Sequence, residues 1–251
     1  MTMNDIAITR ADGVLTIRLA RTHKKNALTA AMYETMLGAF RDAEADPEIG
    51  AIVLRGDGGV FTAGNDIGDF IAAAQQPGEM AAMRFVEALA RLDTPLVAAI
   101  EGAAIGIGAT LMLHCDLVYA APDARFHMPF IDLGLVPEAG SSLLLPQRIG
   151  MARASEILLL GEAFNADEAH RLGLVNDIVP PDRLYTHAQT RAAALAAKPR
   201  AALAATRRLL RGDRADLLAH MTREGDAFAQ ALTSGEAQKA FMAFMARSKG
   251  L

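Results

Sequence analysis

The chain has 251 residues, of which 52% are hydrophobic, enough for a real core in one or two domains. Its 25 basic residues against 29 acidic ones leave a formal charge of -4, a balance that argues against a nucleic-acid footprint. No uninterrupted apolar run is long enough to cross a bilayer, and the first residues lack the order of a cleaved export signal, so a cytoplasmic protein is expected. One cysteine, Cys115, cannot form an intrachain disulfide; in its apolar run it reads as a quiet buried thiol.

In chain order, residues 4–10 and 14–19 read as strands split by Asp12-Gly13. Thr29 is placed to cap a helix over 30–45, with Pro47 just beyond its end. A strand at 51–54 ends in the glycines of 56–59. A loop over 60–69 leads into an alanine- and glutamine-rich segment. A helix over roughly 79–92, a buried strand at 96–100, an apolar helix near 107–113 and a strand at 117–120 follow. This alternation predicts an α/β core with right-handed crossovers, and its wholly apolar strands suit a sheet covered on both faces. From about residue 151 the pattern turns helical, over 151–160, 166–171, 182–197, 199–210 and a long 214–246 that Gly235 can interrupt. Phe228, Leu232, Phe241, Phe244 and Met245 form an apolar stripe on this last part.

Three segments carry candidate chemistry. The turns F61-T-A-G-N-D66 and G102-A-A-I-G-I-G108 are rich in glycine, which lets backbone approach a ligand closely. The spacing of the second is not that of a dinucleotide-binding loop. Amides of Ala63 and Ile107 are candidates to point at a carbonyl oxygen, with Asn65 or Asp66 capping the turn; both segments read equally well as plain structural turns. The third segment, F126-H-M-P-F-I-D-L-G-L-V-P-E-A-G-S-S142, holds one glutamate, Glu138, in apolar company. Position alone allows Glu138 to be a buried acid–base group or merely a cap for a helix beginning near 139. His127 and His114 read as satisfied core or edge histidines, and Ser141 and Ser142 as helix-start serines rather than nucleophiles. No metal-ligand spacing is present.

Taken together and in this order, K24-K-N-A-L28, F61-T-A-G-N-D-I67, the 102–108 turn, C115-D116 and L172-G-L-V-N-D-I-V179 resemble the crotonase (enoyl-CoA hydratase/isomerase) superfamily along essentially the whole chain. The resemblance implies a spiral of β-β-α units over 1–195 and a C-terminal helical region over 196–251 that assembles trimers or hexamers. It implies an acyl-CoA thioester as substrate, with coenzyme A as part of that substrate and no separate cofactor. Its oxyanion hole would come from the N–H groups of Ala63 and Ile107. Substrate contacts would come from Lys25, Ala27, Ala63, Gly64, Asn65, Asp66, Ile67, Gly106, Phe130, Leu135 and Pro137. Neither nucleic acid nor membrane is implied as a partner.

Family hydratases carry two water-handling glutamates; here Thr110 and Phe130 stand in those places. The F-H-x-P-F and L-G-x-x-P-E-x-x-S-S patterns are similar to those of single-glutamate, peroxisomal-type Δ3,Δ2-enoyl-CoA isomerases. That likeness implies an isomerase that moves a double bond from position 3 to position 2 through Glu138. The alternatives are an enoyl-CoA hydratase or acyl-CoA hydrolase of the same superfamily, or a non-catalytic acyl-CoA-binding protein.

Overall fold

A computed structural model describes residues 5–74 and 80–248. In chain order the elements begin with β1 (Ile6–Ala11), β2 (Val14–Leu19), α1 (Ala30–Ala45), β3 (Ala51–Gly56), α2 (Ile67–Ala74) and α3 (Ala81–Arg91). Next come β4 (Leu96–Ile100), β5 (Ala103–Ile105), α4 (Ile107–Thr110), β6 (Leu117–Ala120) and β7 (Arg125–His127). The chain continues through α5 (Ser141–Ile149), α6 (Met151–Leu159), β8 (Phe164–Asn165), α7 (Ala166–Arg171) and β9 (Asp177–Ile178). It finishes with α8 (Pro181–Ala196), α9 (Arg200–Arg211), α10 (Arg214–Leu232) and α11 (Gly235–Ser248).

Six strands form one sheet in the order β1-β2-β3-β4-β6-β9, and β5-β7-β8 form a second. The β1-β2 hairpin is antiparallel, while β2, β3, β4, β6 and β9 run parallel. Parallel neighbours require crossovers, and α1 and α3 supply them between β2, β3 and β4. Because side chains alternate across a strand, an all-apolar strand must serve two cores. Strand β4 does so: Leu96, Ala98 and Ile100 join the large core with Leu15, Ile17, Ile52 and Leu54, whereas Val97 and Ala99 join a smaller one closed by α8. The expected α/β architecture with a helical C-terminal region is present.

Thr29 caps α1 as expected, its hydroxyl accepting from Met32 N at 3.3 Å. Asp69 adds to this from the neighbouring helix, its carboxylate accepting from Ala30 N at 2.6 Å. Several boundaries differ from the sequence reading. Helix α2 begins inside the expected 60–69 loop, because Asp66 Oδ1 accepts from Asp69 N at 3.2 Å and caps it. The expected 107–113 helix is one α turn followed by a 3-10 turn, Leu111–His114. The expected 214–246 helix is two, parted at Thr233-Ser234, where Ser234 Oγ accepts from Ala237 N at 3.1 Å. The short strands β5, β8 and β9 have no alternating pattern long enough to read; pairing with distant segments defines them.

The C-terminal helices pack back onto the core. Arg207 of α9 grips Asp116 with two bonds, Nε to Oδ1 at 2.8 Å and Nη2 to Oδ2 at 2.9 Å. Phe228 and Phe241 of the predicted stripe are buried and Leu232 is partly buried. The side chains of Phe244 and Met245, and residues 75–79 of the alanine- and glutamine-rich segment, lie outside the described residues.

Candidate active site

Two backbone turns meet at the edge of the second sheet, where residue 62 pairs with β5. Thr62 bridges Ala104, with Thr62 N bonded to Ala103 O at 2.9 Å and Ile105 N to Thr62 O at 3.0 Å. Gly64, at φ 86°, packs so closely that a Cβ there would sit 3.0 Å from the Ile105 carbonyl oxygen. A side chain at this position would push the turns apart, which is the physical need for glycine. Below the turn, buried Asn26 fixes the loop by donating to Asp57 O at 2.9 Å and Val60 O at 2.8 Å.

The orientation of individual amides corrects one expectation. Ala63 N–H is already engaged, donating to Lys25 O at 2.9 Å. The reason is local: Lys25 and Asn26 both adopt left-handed backbone, at φ 51° and 55°, which turns the Lys25 carbonyl towards residue 63. Residues 64 and 66 bond Leu28, through Leu28 N to Gly64 O at 2.8 Å and Asp66 N to Leu28 O at 2.9 Å. In such a parallel bridge the N–H of the middle residue points the opposite way. Asn65 N–H therefore faces away from Leu28 and has no acceptor among the described residues. Ile107 N–H, at the first position of α4, is likewise without an acceptor among them. Asn65 and Ile107 thus offer one open amide from each of the two turns.

Other predicted residues divide clearly. Asp66 is turned from the site by Arg21, whose Nη1 donates to its carboxylate at 2.8 Å. That ion pair, with further bonds from nearby amides, holds the Asp66 carboxyl below its usual range against a burial penalty that acts the other way. Lys25 is exposed at the rim, Ala27 and Ile67 are half-buried, and Gly106 forms the bend into α4 at φ 56°. Phe130 and Leu135 are buried and close the loop between them, with Leu135 N bonded to Phe130 O at 2.8 Å. Pro137 is half-buried beside them.

Glu138 is buried at 6% exposure, and its carboxylate accepts a short bond from Thr110 Oγ1 at the end of α4. Thr110 lies one helical turn past Ile107, so the hydroxyl that holds the carboxylate and the open amide belong to the same short helix. Burial pushes the Glu138 carboxyl up to about 8; the Thr110 hydroxyl pulls it down in part, and the charge of Glu224 pushes it up. Glu138 does not cap α5. That task falls to Glu224 of α10, whose carboxylate accepts from Gly140 N at 2.6 Å and Ser142 N at 3.0 Å.

The expected histidine and cysteine readings also have a geometric answer. His127 is satisfied by Gly161 O at 2.8 Å, and His114 by Ala139 O at 2.7 Å. Burial drives His114 down to about 4, so the neutral ring donates from Nε2. Burial first, then Asp116, pushes the Cys115 thiol up to about 12. Ser141 and Ser142 are the first two residues of α5.

Sequence reasoning missed Tyr33 and Glu224. Buried Tyr33 donates from its hydroxyl to Asn65 Oδ1 at 2.6 Å, and burial together with the Glu138 charge keeps the phenol well above its usual range. Glu224 did leave a signal. The spacing Leu217, Met221, Glu224, Phe228 places a carboxylate on the apolar face of α10.

The family model described as Enoyl-CoA hydratase/isomerase matches residues 9–250. The chain belongs to the enoyl-CoA hydratase/isomerase family. It is 34% identical over 253 residues to Enoyl-CoA delta isomerase 2 of Rattus norvegicus, an alignment that covers 98% of this chain and 64% of the rat protein. The chain thus spans less than two thirds of that relative's length. It is 38% identical over 213 residues to "Probable enoyl-CoA hydratase" of Rhodobacter capsulatus, covering 83% of this chain and 81% of the other. The crystal structure of an enoyl-CoA hydratase/isomerase from Pseudoalteromonas atlantica matches with TM-score 0.92 and 37% identity, over 97% of this chain and 98% of that one. The mixed sheet and packed C-terminal helices are those of a crotonase-like fold. Family members of both names are near relatives, so membership alone leaves isomerase and hydratase chemistry undivided.

Proposed function

We propose that this family member acts on acyl-CoA thioesters and moves a double bond from position 3 to position 2. Glu138 removes a proton from C2. The electrons of that bond form the C1–C2 double bond of a dienolate, and negative charge collects on the thioester oxygen. The N–H groups of Asn65 and Ile107 stabilise that charge; one such donor lowers the barrier by about 3 kcal/mol. The protonated Glu138 then returns its proton to C4, and the double bond settles between C2 and C3. One carboxyl serves both ends because the base becomes the acid.

The observation that carries this reading is the isolation of Glu138. It is a buried carboxyl beside a hydroxyl, Thr110, and the positions that would hold water-handling acids carry Thr110 and Phe130, both buried. A dry site favours return of the proton to carbon over addition of water. The second reading, hydration of a 2-enoyl-CoA, is favoured by the Rhodobacter relative's name and its 38% identity. A substrate panel separates them. Isomerisation requires conversion of a 3-enoyl-CoA to the 2-enoyl-CoA. Rapid formation of 3-hydroxyacyl-CoA from 2-enoyl-CoA, with no turnover of the 3-enoyl ester, overturns the isomerase reading in favour of the hydratase.

A further inference from the structure

The peptide joining Ala139 to Gly140, one residue past Glu138, is held from both ends by side chains from distant parts of the chain. Its carbonyl accepts from His114 Nε2 at 2.7 Å, and its N–H donates to Glu224 Oε2 at 2.6 Å. Both flanking residues are left-handed, Ala139 at φ 58° and Gly140 at φ 68°. A non-glycine residue in that region costs of order 1–3 kcal/mol and persists only where its surroundings enforce it. Here His114 and Glu224 are those surroundings. Ser141 adds a third tie, donating from Oγ at 2.6 Å and from N at 3.0 Å to the Glu138 carbonyl.

We propose that Glu224 is a positioning residue for Glu138: from α10 it clamps the turn that aims the Glu138 side chain at Thr110, and its carboxylate brings a like charge to the amide two residues past Glu138. This rests on Glu138 as the proton carrier. Glu224 is itself 8% exposed and fully engaged, its other oxygen accepting from Ser142 N and from Ser142 Oγ at 2.5 Å. Ser142 Oγ also meets His220 Nε2 at 2.7 Å, and His220 lies 3.6 Å from Glu224. Arg223 stands behind it, 3.3 Å from His220 Nδ1. The groups that set the charge around Glu138 are thus Thr110 from α4, Tyr33 from α1 and Glu224 from α10. Those around Glu224 are Ser142 from α5, and His220 with Arg223 from its own helix. The nearest basic group among the described residues is His220, 3.6 Å from the Glu224 carboxylate, and the charge of Glu224 pushes the Glu138 carboxyl up after burial does. The Ser142–His220–Glu224 contacts do not make a nucleophile, since the serine proton is directed at a carboxylate that also holds two backbone amides.

The test is to titrate the Glu138 carboxyl carbon by NMR in protein labelled at glutamate, with the resonance assigned by its loss in Glu138→Gln. In Glu224→Gln the midpoint is expected to fall by half a pH unit or more. Glu224→Asp, which keeps the charge on a shorter arm, is expected to hold the midpoint within a few tenths. Turnover on 3-enoyl-CoA is expected to fall about tenfold in both, the scale of a modest misplacement of a catalytic group. An unchanged midpoint in a folded Glu224→Gln protein overturns the charge role, and unchanged turnover in both variants overturns the positioning role. If Glu224→Gln does not fold, the Glu224→Asp protein carries the positioning test and Ser142→Ala the charge test. Ser142→Ala removes one hydrogen bond, that of Ser142 Oγ, from Glu224 and leaves its charge, so a midpoint that falls there overturns the charge role. Because the titration needs no substrate, it stands even where the enzyme turns over no enoyl-CoA at all; that latter result counts against the proposed reaction and not against the clamp.

Discussion

Thr110 donates its hydroxyl proton to the Glu138 carboxylate, and Thr110 sits one helical turn beyond the open amide of Ile107. The proposed proton carrier and a proposed oxyanion donor are thereby tied to the same four-residue helix. A movement of α4 moves both.

The first consequence concerns the chemistry of Glu138. Glu138→Gln keeps the size and the bond from Thr110 and removes the base. Turnover on 3-enoyl-CoA is expected to drop at least ~10²-fold, the scale of a positioned acid or base. Binding of an unreactive acyl-CoA, read by calorimetry, is expected to change little. Turnover that survives the substitution would reassign the chemistry to another group.

The pH profile follows from the same residue. A base must be ionised, and burial raises the Glu138 carboxyl to about 8, so the rate is expected to rise with pH and level off above that value. Thr110→Val removes the hydroxyl that favours the ionised form, and the ascending limb is expected to move to higher pH. A limb that stays in place, or moves down, would show that Thr110 does not set the charge of Glu138.

Stability should run against activity. The folded-state carboxyl titrates near 8 and the unfolded one near 4.5, so the native state holds the extra proton across that window. Stability from this group is whole below about 4.5 and is lost as pH rises through about 8. Glu138→Gln cannot ionise. It is expected to unfold at a higher temperature than the wild type at pH 9, with a gain on the order of 1–3 kcal/mol, and to show little gain at pH 4. Thermal melts at the two pH values check this; equal shifts at both would mean that the effect is packing.

The amide geometry gives a structural prediction. In a complex with an acyl-CoA analogue, the thioester oxygen is expected about 3 Å from Asn65 N and Ile107 N. The Ala63 amide is expected to keep its bond to Lys25. An oxygen bound by Ala63, with the Lys25 bond broken, would restore the original assignment.

Assembly remains a proposal drawn from the family. Leu209 and Leu210 of α9 are 85% and 82% exposed in the single chain, and Met242 of α11 is 60% exposed. Apolar surface of this kind on C-terminal helices fits burial against further copies of the chain. Light scattering is expected to give a trimer or hexamer; a stable monomer at micromolar concentration would reject it.

The sequence alone determined the elements whose patterns are local. Strand β4 reads as buried on both faces because every residue in it is apolar, and α1 reads from its Thr29 cap and its period. Glu138 stood out because it was the one glutamate in an apolar loop, flanked by patterns that resemble known isomerases. Tertiary structure decided what local pattern cannot carry. Which amide is open at 63–65 depends on the direction of the Lys25 carbonyl, set by two left-handed residues nearly forty positions away. Whether Glu138 caps α5 depends on Glu224, more than eighty residues later, reaching the Gly140 and Ser142 amides first. Backbone donors and buried charges are assigned by whichever partner the fold brings within hydrogen-bond range, and that distance is a property of the packed chain rather than of any segment of it.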